Sequence, residues 1–241
     1  MLKISNFTKV YKGGKKAVDN LSLSVEKGDI YGFIGHNGAG KTTTLKAVSG
    51  ILDFKDGEIL IDGFSIKDNP VECKQRLAYI PDNPDLYEHL TGLQYINFIA
   101  DVYGVPQKER EVLINKYGDL FDISKNYDDL ISSYSHGMKQ KVAIIAALVH
   151  TPKLLILDEP FVGLDPKASH DLKQIFIRLC EEGSAIIFST HVLEVAEKLC
   201  NKIGIIQDGK LIADGLTEDV VGDKSLEDIF LNLVESREGD A

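Results

Sequence analysis

"GHNGAGKTT", residues 35–43, is the stretch that decides the fold. Just upstream, "DIYGFIG" (29–35) is a short apolar burst of strand character, and from Gly40 to Ser49 the pattern turns helical. A strand that passes through a glycine-rich turn into a helix lets consecutive backbone N–H groups turn inward around an anion, and the helix N-terminus adds favourable partial charge. Lys41 can reach the β- and γ-phosphates of a nucleotide, and the Thr42 hydroxyl is placed to ligate Mg²⁺. A bare strand-to-helix turn would account for the glycines alone. Strand, helix and Gly-Lys-Thr together point to the phosphates of a nucleoside triphosphate.

The surrounding chain supplies the matching frame. "LKISNF" (2–7) and "AVDNLSLSV" (17–25) alternate as strands do, "GEILIDG" (57–63) is a hairpin strand, and "RLAYIP" (76–81) is a strand ended by Pro81. Between about Leu90 and His150 the period is helical throughout, with Gly104–Pro106 and Gly118 as breaks. Strands return with "KLLILDEP" (153–160) and "SAIIFSTH" (184–191), each followed by a helical segment. A closing pair, "KIGIIQDG" and "KLIADG", is joined by Asp208-Gly209, a hairpin signal. In "SLEDIFLNLVE" (225–235), a Ser cap precedes Leu226, Ile229 and Leu233 on one helical face. The expected architecture is α/β, with a helical insertion between two strands of the core.

A second chemical stretch follows the insertion. The four apolar residues of "LLIL" (154–157) fit a strand buried on both faces of a parallel sheet. Asp158 then emerges at its carboxyl end, where ligands of such sheets collect, to hold Mg²⁺ directly or through water. Glu159, one residue on, is placed to polarise an attacking water. His191 ends its own apolar strand, where an imidazole can hydrogen-bond a γ-phosphate and steady that water; a lone strand-end histidine is otherwise a polar surface residue.

Composition narrows the functional classes. The 241 residues carry 27 basic and 37 acidic side chains, a formal net charge of −10, which offers no electrostatic footprint for nucleic acid. The four arginines, Arg76, Arg110, Arg178 and Arg237, are dispersed, whereas transfer to an acceptor generally uses a cationic clamp; hydrolysis is the better-supported phosphoryl chemistry. Cys73, Cys180 and Cys200 have no metal-ligand spacing and read as buried free thiols. No stretch approaches the length of a membrane span, so the chain is not expected to cross a membrane by itself.

The order and spacing of these stretches resemble the nucleotide-binding domain of ABC transporters over essentially the whole chain. "YIPDNPDLYEHLT" (79–91), "YSHGMKQK" (134–141), "DEPFVGLDP" (158–166) and "SLEDIFLNL" (225–233) look most like the ATPase subunits of ABC-2 type exporters. The resemblance implies a P-loop NTPase core with a mostly parallel sheet, an N-terminal antiparallel β portion and an inserted α-helical subdomain. Residues 1–82 and 151–215 would form the core lobe, 83–150 the helical subdomain, and 216–241 a helical tail. It implies ATP and Mg²⁺ as cofactors. Asn37, Gly38, Ala39, Gly40, Lys41, Thr42 and Thr43 would bind the phosphates, and Tyr11 would stack on adenine, with Val18 packing nearby; a strand aromatic in the core is the other reading of Tyr11. Thr42, Asp158 and Asp82 would serve the metal; Asp82 stands where the family usually has Gln and reads equally as a plain loop Asp after Pro81.

The turn Tyr134-Ser135-His136-Gly137-Met138 stands where the family writes LSGGQ, so Ser135, His136 and Gly137 would face an ATP held by another subunit. Ser135 would equally serve as an ordinary helix cap. Asp165 would lie at the dimer interface. The partners implied are a second ABC ATPase, identical or related, and a polytopic membrane permease on a separate chain, at the cytoplasmic face of the cell membrane, with no nucleic acid. The alternative is a soluble ABC-type ATPase acting on ribosomes or nucleic acid.

Overall fold

A computed structural model describes residues 1–231. The chain runs β1 (Leu2–Val10), β2 (Lys16–Val25), β3 (Ile30–Ile34), α1 (Lys41–Val48), β4 (Asp56–Ile61), β5 (Phe64–Ser65), α2 (Pro70–Lys74), β6 (Leu77–Ile80), α3 (Gly92–Val102), α4 (Gln107–Leu120), α5 (His136–Leu148), β7 (Leu154–Asp158), α6 (Pro166–Glu181), β8 (Ala185–Thr190), α7 (Leu193–Leu199), β9 (Lys202–Gln207), β10 (Lys210–Leu216) and α8 (Thr217–Val221). Two sheets result. One is antiparallel, in the order β2-β1-β4-β5. The other has the order β10-β9-β3-β8-β7-β6; β9, β3, β8, β7 and β6 run parallel, and β10 closes the edge antiparallel to β9.

Side-chain alternation on the parallel strands divides the interior into two cores. Leu154, Ile156, Ala185 and Ile187 face the antiparallel sheet and α1, packing with Leu2, Phe7, Val25 and Leu45. Leu155, Leu157, Ile186 and Phe188 face the opposite way, onto α5 and α6. Both faces of the parallel sheet are covered, which is why its strands read as continuous apolar runs instead of alternating ones. Each fully buried large side chain contributes about 1.5–3 kcal/mol, so the many buried Phe, Leu and Ile residues make this sandwich the rigid base of the molecule.

The insertion between β6 and β7 departs from the sequence expectation. Residues 121–135 are not helical throughout: they hold two single 3₁₀ turns, Ser124–Asn126 and Ile131–Ser133, and Leu130 bridges Thr91 in an isolated antiparallel pair. Gly118 does not break a helix either; α4 continues through it to Leu120. The residue is glycine because a Cβ there would lie 2.7 Å from Ser124 Oγ and collide with the Tyr127 hydroxyl. Gly104, by contrast, does separate α3 from α4, with φ 67°. Thr91 caps α3 through a reciprocal bond with Gln94.

The β9–β10 hairpin turns on Asp208 (φ 49°) and Gly209 (φ 79°), both in the left-handed region that a two-residue hairpin loop requires. Near the end of the described chain, Ser225 Oγ accepts the Asp228 N–H (3.1 Å) and residues 226–231 are helical. Leu226 is fully buried. Leu233 and the rest of the expected tail lie outside the described residues.

Candidate active site

The order of the parallel sheet builds the site. β3, β8 and β7 are neighbours with the same direction, so their carboxyl ends bring together Gly35, Thr190-His191 and Asp158-Glu159, which are far apart in sequence. Of these, Asp158 and Glu159 border a cavity of about 410 Å³. Its lining combines the 36–43 loop, Lys46 of α1, Tyr79, Pro81, Asp82 and Asn83 from the end of β6, and Asp158 and Glu159 from β7.

The loop owes its shape to contacts that tolerate no side chain. A Cβ at Gly35 would collide with the Ile206 carbonyl of β9. Gly40 sits at φ 114°, and a Cβ there would stand 2.6 Å from the Ala17 carbonyl and 3.3 Å from Val18 Cγ2. Gly40 is the N-cap of α1 and has no capping side chain, so the first N–H groups of the helix open toward the cavity rim. Lys41, only 6% exposed, donates from Nζ to the Gly35 carbonyl (2.7 Å) and the His36 carbonyl (3.3 Å). This places an ammonium and a helix N-terminus in one polar recess, the arrangement that suits phosphate oxygens.

The carboxylates stand opposite. Asp158 is 3% exposed, and its Oδ1 accepts the Ser189 hydroxyl at 2.5 Å. The same Ser189 Oγ accepts the Glu159 N–H (3.0 Å), which also lies 3.2 Å from the Ser189 carbonyl. Glu159 is thereby fixed at φ 49°, a left-handed conformation that costs a non-glycine residue of order 1–3 kcal/mol. Its Oε1 is 3.7 Å from Lys41 Nζ and its Oε2 is 3.0 Å from His191 Nδ1. A carboxylate flanked by an ammonium and an imidazole is an arrangement that can take a proton from a water. Burial, together with the charges of Asp158 and Asp82, drives the Tyr79 phenol far above its ordinary pKa and keeps it neutral beside them.

The donor set fits a small hard cation. The Thr42 hydroxyl and the Asp82 and Asp158 carboxylates line one cavity, and all are oxygen ligands. Among the described residues no group of three His, Cys, Asp or Glu side chains forms a closed metal cage. Such a sparse set matches an ion that keeps waters and shares phosphate oxygens.

The Ser135 turn lies elsewhere on the chain. Ser135 caps α5, its Oγ accepting the Met138 N–H at 3.3 Å. Ser135, His136 and Gly137 do not line the 410 Å³ cavity, and neither does Asp165. Asp165 instead caps α6, Oδ1 accepting the Ala168 N–H at 2.8 Å. That bond, with the Lys141 ammonium beside it, lowers the Asp165 pKa below the ordinary carboxylate value. On α5, Lys139 reaches Glu88 (2.6 Å) and Lys141 reaches Asp165 (3.0 Å).

The sequence profile of a family described as "ABC transporter" matches residues 18–162, from β2 to just past Glu159.

The chain belongs to the ABC transporter family.

It binds ATP and hydrolyses it to power transport. ATP-binding subunits of the family dimerise and work with membrane permease components. The linearmycin resistance ATP-binding protein LnrL of Bacillus subtilis is 36% identical over 220 residues, covering 91% of this chain and 70% of LnrL. The bacitracin transport ATP-binding protein BcrA of Bacillus licheniformis is 37% identical over 215 residues, covering 89% of this chain and 69% of BcrA. A solved ATP-binding subunit of an ABC transporter superposes with a TM-score of 0.93 at 32% identity, covering 97% of this chain and 99% of the other. An ATP-binding cassette solved as a dimer in a post-hydrolysis state with ADP and Pi shares the fold, with a TM-score of 0.82 at 24% identity.

Within this ABC subunit, not every residue singled out from the sequence borders the cavity. Val18 is fully buried and backs Gly40 from behind; Ala39 is buried as well, so it offers backbone only. Tyr11 is not a core aromatic: it is 43% exposed, with its hydroxyl 3.3 Å from Thr43 Oγ1. His191 stands at the edge and enters the site through Glu159. Sequence reasoning missed Ser189. A hydroxyl inside the apolar run "AIIFST" is the signal that could have found it, because a fully buried serine must bond to something. Among the described residues no helix is long and apolar enough to cross a membrane.

Proposed function

We propose that this chain energises an ABC-2 type exporter from the cytoplasmic face of the membrane, and that two ATPase chains bind two ATP molecules between them. Each ATP would lie between the 36–43 loop of one chain and the Ser135 turn of the other. The second chain is an identical copy or a related one. The permease is a separate polypeptide. Support for export comes from the relatives named for linearmycin resistance and bacitracin transport.

The roles follow from the chemistry of each group. The loop N–H groups and Lys41 hold the phosphates, and Lys41 offsets their charge. Thr42, Asp158 and Asp82 would hold Mg²⁺, which when bound would supply Lewis-acid polarisation of the phosphate oxygens. Glu159 accepts a proton from the attacking water, and His191 fixes the carboxylate that receives it. Tyr11 offers its exposed ring to the adenine, and Asp165 lies where the two chains meet.

The observation that carries this reading is Glu159, held in a strained conformation between Lys41 and His191. Glu159→Gln keeps the shape and removes the base. The expected result is ATP binding without turnover and a stable dimer in size-exclusion chromatography with ATP. Turnover at the wild-type rate would overturn the assignment of the base. Tagged chain recovered from gently solubilised membranes should bring down a polytopic membrane protein in stoichiometric amount. Recovery only with ribosomes or nucleic acid would favour the soluble ATPase.

A further inference from the structure

We propose that Lys141 is a positioning residue for hydrolysis: its ammonium ties the Ser135 turn to the Gly163–Asp165 loop of the same chain, so that the turn reading one ATP and the segment carrying Glu159 move as one piece. This rests on the reading above that two chains share each ATP.

The connection is built from both sides. Lys141 sits on α5 six residues after Ser135, with its side chain only 16% exposed, and its Nζ is 3.0 Å from Asp165 Oδ2. The other oxygen of that carboxylate, Oδ1, caps α6 through the Ala168 N–H (2.8 Å). One carboxylate therefore binds α5 with one oxygen and α6 with the other. The turn itself also touches the loop. A Cβ at Gly163 would lie 2.9 Å from His136 Nε2, so the imidazole rests against bare backbone, and a Cβ at Gly137 would lie 2.8 Å from the Gly163 carbonyl.

The segment between Glu159 and Asp165 is short and anchored. The Val162 N–H donates to the Glu159 carbonyl (3.2 Å). Phe161 packs edge-on against Phe188 and Phe176, with ring centroids 5.6 and 5.9 Å away. A shift of the Ser135 turn is thus passed through Lys141, His136 and Gly163 to a segment with little freedom to absorb it, and Glu159 stands at its other end. Packed elements of this kind have discrete arrangements and transmit displacement. A surface ion pair with no such role would leave turnover untouched when broken.

The test is steady-state ATPase of the full chain with Lys141→Met and Lys141→Arg. Lys141→Met is expected to lower kcat about fivefold or more, in the range of coupling effects between sites. Its KM for ATP should stay within about twofold of wild type, because Lys141 touches no ATP group. Arginine can still reach Asp165, so Lys141→Arg should recover most of kcat. A Lys141→Met chain with wild-type kcat, or a Lys141→Arg chain as slow as Lys141→Met, overturns the proposal. Dimerisation of Glu159→Gln with ATP keeps the two readings apart. If that dimer fails to form, the shared site is wrong; if it forms and Lys141→Met is unchanged, only the tie is wrong.

Discussion

His191 Nδ1 lies 3.0 Å from Glu159 Oε2, and the imidazole is more than half exposed while the carboxylate is 13% exposed. The histidine thus reaches the site from its rim and acts on a group already fixed from behind by Ser189. His191→Ala should therefore leave the fold and ATP affinity intact and lower kcat by about 10²-fold, the lower range for loss of help in proton transfer. Phosphate release under saturating ATP, with binding measured separately by equilibrium titration, checks both halves.

Ser189 is the shared partner of Asp158 and of the Glu159 backbone. Ser189→Ala removes both bonds from buried groups and should destabilise the fold by about 1–3 kcal/mol. It should also raise the Mg²⁺ concentration needed for half-maximal hydrolysis, because Asp158 loses the contact that orients it. Denaturant melts and a Mg²⁺ titration of activity read the two effects. A variant with unchanged Mg²⁺ dependence would show that Asp158 needs no such support.

Gly40→Ala is expected to abolish ATP binding while the chain still folds. The new Cβ meets the Ala17 carbonyl at 2.6 Å, and φ 114° is strained for any other residue, at a cost of about 1–3 kcal/mol. The loop must shift, and the N–H groups around the phosphates shift with it. Loss of binding with a retained far-UV circular dichroism spectrum is the outcome to look for.

His150 provides a test of stability against pH. Its ring stacks on Tyr103 with centroids 3.7 Å apart, and burial holds its pKa down to about 4 from an ordinary 6.5. The folded state keeps His150 neutral while the unfolded chain takes up a proton, so this stabilisation is complete above pH 6.5. It is lost progressively as pH falls toward 4, by about 3 kcal/mol in all. His150→Phe should keep the stack and flatten the loss between pH 6.5 and 4, as read by urea midpoints across that window.

What the sequence showed and what it hid have a common physical cause. The 35–43 turn was legible because its signal is local: Gly40, Lys41 and Thr42 stand side by side where a strand passes into a helix. The strand ends were legible because burial on both faces writes an apolar run, as in residues 154–157. Gly118 misled because a glycine signals freedom and close approach with the same letter, and here Tyr127 and Ser124 supply the approach. The bonds of Ser189 to Asp158, 31 residues away, and of Lys141 to Asp165, 24 residues away, leave no periodic trace. Such pairings exist only once the sheet order is known.

The central position of β3 sets an order of events during synthesis. Residues 30–34 are made early and are wholly buried, yet their two neighbours in the sheet are β8 and β9, at 185–190 and 202–207. Until the ribosome has delivered residue 190, this apolar strand has both edges open; until it has delivered residue 207, one edge stays open and the loop behind it has no Ile206 to rest against. Non-local pairing of this kind is slow to form and open to aggregation meanwhile. Nucleotide binding is then a property of a chain that has reached β9, and a truncation anywhere before β9 should bind none.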